Sequence, residues 1–458
     1  MIEGIVGSTA PAERMRVTVA WYLAPVAVAA GSLALGAVAL GSRSLTSDEA
    51  TSTARAGGPV GDVLSTIMDS GPGQAGHLLL LHLATMVGHD EFTLRAPSVM
   101  AISLAAGLLV VLGNLLFGRV GGVVAGIALA ANAGVVEASR EVRPYALGIL
   151  GIVVATLLFV VALERGGSWR WVPYAFAAAA LPLLHPLAAS VLAAHGATLI
   201  ARRDRADRRS AGIALVAGTA VAGCLLAWMA AGRFDARAGA EVPDLARLGP
   251  ALADASGWNA VLALAAVTGL VVCFRIGHSW SPGRWVGVLV AALIASPVVV
   301  TLLTAVALPV HLGALVLSSP GVALAGGAAG SLLSERHRLL WAGLAVLLLA
   351  SAVTITVALR SPVDEDWRSL AAVVRHGRGP SETVIVLPEG SRAAFAYYAP
   401  YLATTRFARG EGAWVAVTVD TAQDAIDISR PVVPTPRYAL LRQVRYGNGL
   451  RLQHWVRP

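Results

Sequence analysis

The chain has 458 residues, of which 56% are hydrophobic and only 14% charged, against roughly a quarter charged in a soluble domain. So few charges cannot cover a globule of this size with polar surface, which excludes a soluble enzyme. The net charge is +8, and all 35 basic residues are Arg; much of that charge lies in short loops between apolar runs, where it sets membrane topology and gives no sign of nucleic-acid binding.

Several apolar runs approach the roughly 20 residues a helix needs to cross a bilayer. The first is expected at 19–40, behind Arg14 and Arg16 and without a convincing small-residue cleavage site, so it reads as a retained span. Two adjacent acids, Asp48 and Glu49, follow within a few residues of its end. The loop 41–95 contains a weakly amphipathic stretch at 50–68. It also contains GQAGHLLLLHLATMVG (73–88), expected to lie in or dip into the interface. Further spans are expected at 96–117, 120–138, 145–163, 170–184, 187–201, 211–231, 258–276, 285–307, 312–333 and 338–358, about 11 in all with the first. Pro182 and Pro186 break the chain between the short fifth and sixth spans, with His185 at the break.

The stretch ARRDRADRRS (201–210), with five Arg and two Asp, marks the cytoplasmic side. An odd number of spans from a cytoplasmic N-terminus then puts the C-terminus outside. Asp48, Glu49, SREVRPY (139–145) and the loop 232–257 share that outer side. Arg119, Arg165 with Arg170, Arg275 with Arg284, and Arg336 with Arg338 fall inside. Cys224 and Cys273 lie within apolar runs and offer no disulfide framework or metal-ligand spacing.

The tail changes character. EDWRSLAAVVRHG (365–377) suits a helix and TVIVLP (383–388) a buried strand. PRYALLRQVRYGNGLRLQHWV (436–456) suits a hairpin turning at Asn448-Gly449. The expected division is a membrane module at 1–359 and a small α/β domain at 360–458.

Taken in order, the outward polar residues are Asp48-Glu49, Arg95-Ala96-Pro97-Ser98, SREVRPY (139–145) and Glu365-Asp366-Trp367-Arg368. This order resembles bacterial GT-C superfamily glycosyltransferases of the protein-mannosyltransferase and aminoarabinose-transferase type. Those families carry an acidic pair after the first span, an Arg-x-Pro-Ser-like start to the second and an S-Q-E-A-R-x-Y-like segment. Here Arg140 replaces the Gln of that segment, and DSGPGQAGH (69–77) replaces a His-Pro-Pro-like element, leaving His77 as the nearest His. LPVHLGA (308–314) stands where an Arg-Tyr pair is often found.

The resemblance implies a GT-C-like polytopic α-helical membrane protein with a small extracytoplasmic α/β C-terminal domain, in a bacterial cytoplasmic membrane. It also implies a polyprenyl-phosphate sugar donor used on the outer face, with the acid after the first span as catalytic base. The acceptor would be a hydroxyl of a glycan, glycolipid or protein, and membrane lipids the surrounding partner.

Inverting sugar transfer needs a base for the acceptor proton and cations for the departing phosphate, placed on opposite faces of the sugar. Asp48 is the candidate base, and Glu49 is expected to orient the acceptor or a metal. With no Lys available, Arg143, Arg95 and Arg140 are the candidates for the donor phosphate, since their forks match phosphate oxygens. Tyr145 and His185 are candidate donor contacts. Asp48 and Glu49 offer oxygen ligands to a divalent cation, but no third ligand is evident and no cofactor is expected. Two alternatives stand: a transporter or flippase of a lipid-linked intermediate, and an inactive GT-C-like partner-binding protein. The span interiors are nearly free of charge, which weighs against ion-coupled transport.

Overall fold

The computed structural model describes residues 11–70, 72–202, 208–232, 260–275, 284–305, 312–333, 336–360, 365–402, 412–418, 438–447 and 449–457. The expected external loop 232–257 lies almost wholly outside the described residues. So do half of the 201–210 basic cluster, much of LPVHLGA and the turn residue Asn448.

The helices, in chain order, are α1 (Pro11–Ala37), α2 (Ser47–Ala56), α3 (Val60–Ser70), α4 (Ala75–Val87), α5 (Glu91–Ala130), α6 (Ala133–Ser139), α7 (Tyr145–Arg165) and α8 (Trp171–Leu184). They continue as α9 (Val191–Ala201), α10 (Arg208–Gly232), α11 (Ala260–Arg275), α12 (Arg284–Ala305), α13 (Ser319–Leu332), α14 (His337–Arg360), α15 (Trp367–Gly377) and α16 (Arg392–Tyr398). Six helices among the described residues are long and apolar enough to cross a membrane, and four shorter apolar helices accompany them. The protein is a multi-pass membrane protein.

The 40-residue α5 is a folded-back pair of helices. Gly118 interrupts it with φ +78°, a conformation open to glycine, and the two legs return along each other. A Cβ on Gly113 would lie 2.8 Å from the Gly122 Cα, so only small residues let the legs approach this closely. The expected span 120–138 is not one helix. Its chain breaks at Ala131-Asn132, where the Asn132 side chain accepts from Val135 N and caps α6. Around these legs a large apolar core runs through α5, α7, α8, α9, α12 and α13. In it His195 stacks on Phe159 and bonds to the Tyr174 and Thr156 hydroxyls, so it is satisfied within the core.

At 13 residues, α4 is too short to cross a roughly 30 Å hydrocarbon layer. Its Leu78 and Leu81 are buried, whereas Leu79, Leu83, Met86 and Val87 are exposed.

In the tail, Asp366 caps α15, and Trp367, Leu370, Ala371 and Val374 form its buried stripe at helical spacing. The strands β1 (Thr383–Leu387), β2 (Gly412–Thr418), β3 (Ala439–Arg445) and β4 (Leu450–Val456) form one sheet in the order β1-β2-β4-β3. The β1–β2 pair is parallel, and the other two pairs are antiparallel. β3 and β4 supply the expected hairpin. β2 has no counterpart among the expected strands; it is one of the two inner strands and is buried along its whole length. The tail does not pack alone. Leu45, Ala50, Ala56, Val63, Leu78, Leu81 and Leu94 from the first loop and α5 join Trp367, Leu370, Val384 and Phe395 in one apolar cluster.

Candidate active site

The site begins with the connection between α1 and α2. Thr46-x-x-Glu49 is a capping box. The Thr46 hydroxyl accepts from Glu49 N, and the Glu49 carboxylate accepts from Thr46 N at 2.9 Å. Two further elements reach the same carboxylate. Arg95 of α5 donates through Nε and Nη2 at 2.9 and 2.8 Å, and Val142 N donates at 2.8 Å. Glu49 is only 1% exposed, yet four donors satisfy it. The remaining Arg95 hydrogens go to the carbonyls of Leu40, Arg43 and Ser44 at 3.0–3.1 Å. Arg95, a candidate phosphate ligand, ties the chain leaving α1 to Glu49.

Arg140 is engaged in a similar way. It donates to the Gly36, Val38 and Ala39 carbonyls at the end of α1. A cation there complements the negative end of the helix dipole and satisfies carbonyls left open by the last turn. Its guanidinium faces the end of α1.

Asp48 differs from both. It sits one helical step from Glu49, a rotation of about 100°, and its side chain is 64% exposed. Among the described residues its partner is Arg143, whose Nη2 lies 2.5 Å from Oδ2. Arg143 Nε lies 3.7 Å from the Glu141 carboxylate, so one guanidinium stands between two acids. Desolvation pushes the Glu141 carboxyl up to about 7, against the opposing pull of Arg143. The Tyr145 hydroxyl lies beside Arg143, and the Tyr145 ring packs against His185 at 5.4 Å between centroids.

His185 is buried, and its Nδ1 accepts from Leu187 N at 3.1 Å, satisfying the backbone freed at the proline break. It supports Tyr145 and does not reach Arg143 directly. His77 is also buried. Among the described residues its Nε2 has no hydrogen-bond partner, and the residue borders a cavity of about 10 Å³, lined also by Leu80, Leu81, Leu94, Pro97, Ser98 and Leu147. That space holds about one water. Among the described residues, no group of three His, Cys, Asp or Glu side chains is arranged to hold a metal.

The expected residues therefore divide into two groups. Asp48, Arg143, Tyr145 and His185 form a chain of contacts running inward from solvent. Glu49, Arg95 and Arg140 anchor the backbone beneath it. Glu141, inside the SREVRPY segment, is one of the acids with which the sequence allows these Arg residues to pair, and the structure sets it beside Arg143. Sequence reasoning missed the capping box, whose Thr-x-x-Glu signal was present at 46–49.

Comparison with known proteins bears on this arrangement. A family model described as dolichyl-phosphate-mannose-protein mannosyltransferase matches residues 75–228. In structure the chain is similar to ArnT from Cupriavidus metallidurans in the apo state. The TM-score is 0.64 at 12% identity, covering 96% of this chain and 98% of that one. The chain shares the fold of that protein. ArnT from Cupriavidus metallidurans bound to undecaprenyl phosphate is also similar, with a TM-score of 0.60 at 11% identity, covering 95% and 98%. None of the curated proteins matches the chain in sequence. The segment matched by the family model carries Arg95, Arg140, Arg143, Tyr145 and His185 but begins after Asp48 and Glu49.

Proposed function

We propose that the chain is an inverting glycosyltransferase. It moves a sugar from a polyprenyl-phosphate donor to an acceptor hydroxyl on the outer face of a bacterial cytoplasmic membrane. The observation that carries this reading is the exposed Asp48 carboxylate, held among the described residues by Arg143 alone, within a fold shared with ArnT. The undecaprenyl phosphate bound to the similar ArnT supports a lipid-linked donor. The sides follow from the Arg distribution of the loops, with the N-terminus cytoplasmic and the tail outside.

In the proposed step Asp48 takes the acceptor proton as the acceptor oxygen attacks the anomeric carbon. The bond from that carbon to phosphate breaks, and polyprenyl phosphate leaves with the electron pair. Inversion requires base and phosphate on opposite faces of the sugar. Arg143 therefore cannot serve both at once. The donor phosphate competes with Asp48 for the guanidinium fork, and as Arg143 turns to the phosphate the Asp48 carboxylate becomes free to act as base. Glu49, Arg95 and Arg140 act as anchors in this scheme, and Tyr145 with His185 backs Arg143.

The test is transfer from a polyprenyl-phosphate sugar in proteoliposomes. Asp48→Asn should lower turnover by about 10²–10⁴-fold, and donor KM should fall, because the carboxylate that competes for Arg143 has lost its charge. Equal product from Asp48→Asn and wild type would sink the assignment. Transport of the lipid-linked substrate by the variant would favour the flippase reading.

A further inference from the structure

The segment that carries Asp48 is gripped from two directions. From the helical bundle, Arg140 and Arg95 hold the carbonyls of Gly36, Val38, Ala39, Leu40, Arg43 and Ser44. From the tail, more than 300 residues later in sequence, Glu365, Arg368 and Tyr398 hold what remains. Arg368 donates to the Gly41 and Ser42 carbonyls at 3.1 and 3.4 Å, and its own N–H donates to the Ser44 hydroxyl at 3.2 Å. The Tyr398 hydroxyl accepts from Leu45 N at 2.8 Å and donates to Glu91 at 2.8 Å, and Arg368 binds that same Glu91 oxygen at 2.6 Å.

Glu365 makes the closest approach to the catalytic candidate. Its Oε2 accepts from Ser47 N at 2.7 Å, from the Ser47 hydroxyl at 2.6 Å and from Trp367 Nε1 at 2.5 Å. Ser47 is the first residue of α2, so its N–H is one of the donors that a helix start leaves open. A carboxylate from the tail fills it, and a negative charge at that end suits the helix dipole. Asp48 thus lies between two fixed neighbours. Ser47 is held by the tail, and Glu49 by Arg95 and Val142. With both flanking residues fixed, the α2 backbone aims the Asp48 side chain in one direction.

We propose that Glu365 and Arg368 are positioning residues for Asp48, and that the tail is a working part of the active site. This rests on Asp48 being the base. Glu365 and Arg368 touch no reacting atom; they act through the backbone of 41–49. A carboxylate that accepts an acceptor proton must be aimed within narrow limits, and a shift of about 1 Å costs on the order of 10²-fold in rate.

The experiment compares Glu365→Ala, Glu365→Gln and Arg368→Lys in proteoliposomes with a polyprenyl-phosphate sugar, each also combined with Asp48→Asn. Amide hydrogen exchange over 41–50 is followed in the same proteins. Glu365→Ala should lower kcat by about 10–100-fold, leave donor KM within about twofold, and speed exchange at Ser47 and its neighbours. Glu365→Gln keeps an oxygen for Ser47 and should restore most of kcat. On the Asp48→Asn background, Glu365→Ala should cause little further loss, because its effect passes through Asp48. Wild-type kcat in Glu365→Ala, an equal loss on both backgrounds, or unchanged exchange would each overturn the proposal. If instead Asp48→Asn transfers sugar as well as wild type, the base assignment fails, and exchange alone then decides whether the tail fixes α2.

Discussion

Asp48 and Glu49 are adjacent in sequence and opposite in surroundings. Glu49 is sealed under the first turn of α2 with four donors, two of them from the Arg95 fork. Asp48 stands open to solvent on Arg143. Helical geometry makes this division, because successive side chains leave the axis about 100° apart and only one can face the bundle. A saturated, buried carboxylate is an anchor, because nothing can exchange with its partners without leaving a charge uncompensated. An exposed carboxylate with a single cation can trade that cation for another anion at little cost. The pair teaches that an acidic doublet after a first span need not be two catalytic groups. Here one acid builds the platform that the other uses.

The largest effect that would break this contrast is on stability. Glu49→Gln leaves the buried Arg95 without its counter-charge, and losing one member of a buried pair typically costs roughly 3–5 kcal/mol. The expected outcome is a marked fall in Tm and in monodisperse protein on size exclusion. Asp48→Asn, at an exposed position, should stay within about 0.5 kcal/mol of wild type. Equal losses from the two variants would erase the distinction. A smaller effect is expected at Arg143. Lys keeps the charge but loses the fork, so Arg143→Lys should raise donor KM by about tenfold, while kcat for bound donor changes less. A kcat loss at constant KM would instead place Arg143 on the transition state alone.

Much of this was legible in the sequence because its signals are strong and local. Low charge and repeated apolar runs identify a membrane bundle. Asn448-Gly449 between two alternating stretches marks the hairpin that β3 and β4 form, and the span break at Pro182 and Pro186 falls where expected. The failures have physical causes. The span 120–138 reads as continuous because Ala131-Asn132 is a small break in an apolar run, and hydropathy does not register a cap. β2 was missed because GAWVAVT is buried on both faces and lacks the alternation of a half-buried strand. For the site, residue type showed that Arg95, Arg140 and Arg143 could each bind an anion. Only the fold shows which anion or carbonyl each one meets. The grip of Glu365 on Ser47 joins positions 318 apart, and no spacing rule reaches that far.

Glu141 provides the finest test of how the exposed half of the site works. An unfolded carboxyl of this type releases its proton near 4.5, whereas the folded one does so at about 7. Between those values the folded chain binds the extra proton, so this group makes stability fall as pH rises through the window. Gln at 141 cannot ionise. The Tm of Glu141→Gln should therefore gain on wild type between pH 5 and pH 8, and a flat difference would show that Glu141 titrates as an ordinary carboxyl. The same ionisation should reach the donor. Above pH 7 an ionised Glu141 is a second anion drawing on Arg143, and a donor phosphodiester, whose single charge does not change over this range, must compete with both acids. Donor KM should rise as pH passes 7 in wild type and rise less in Glu141→Gln. If both profiles coincide, Arg143 is not the group the phosphate displaces from Asp48, and the exchange of partners proposed for it does not occur.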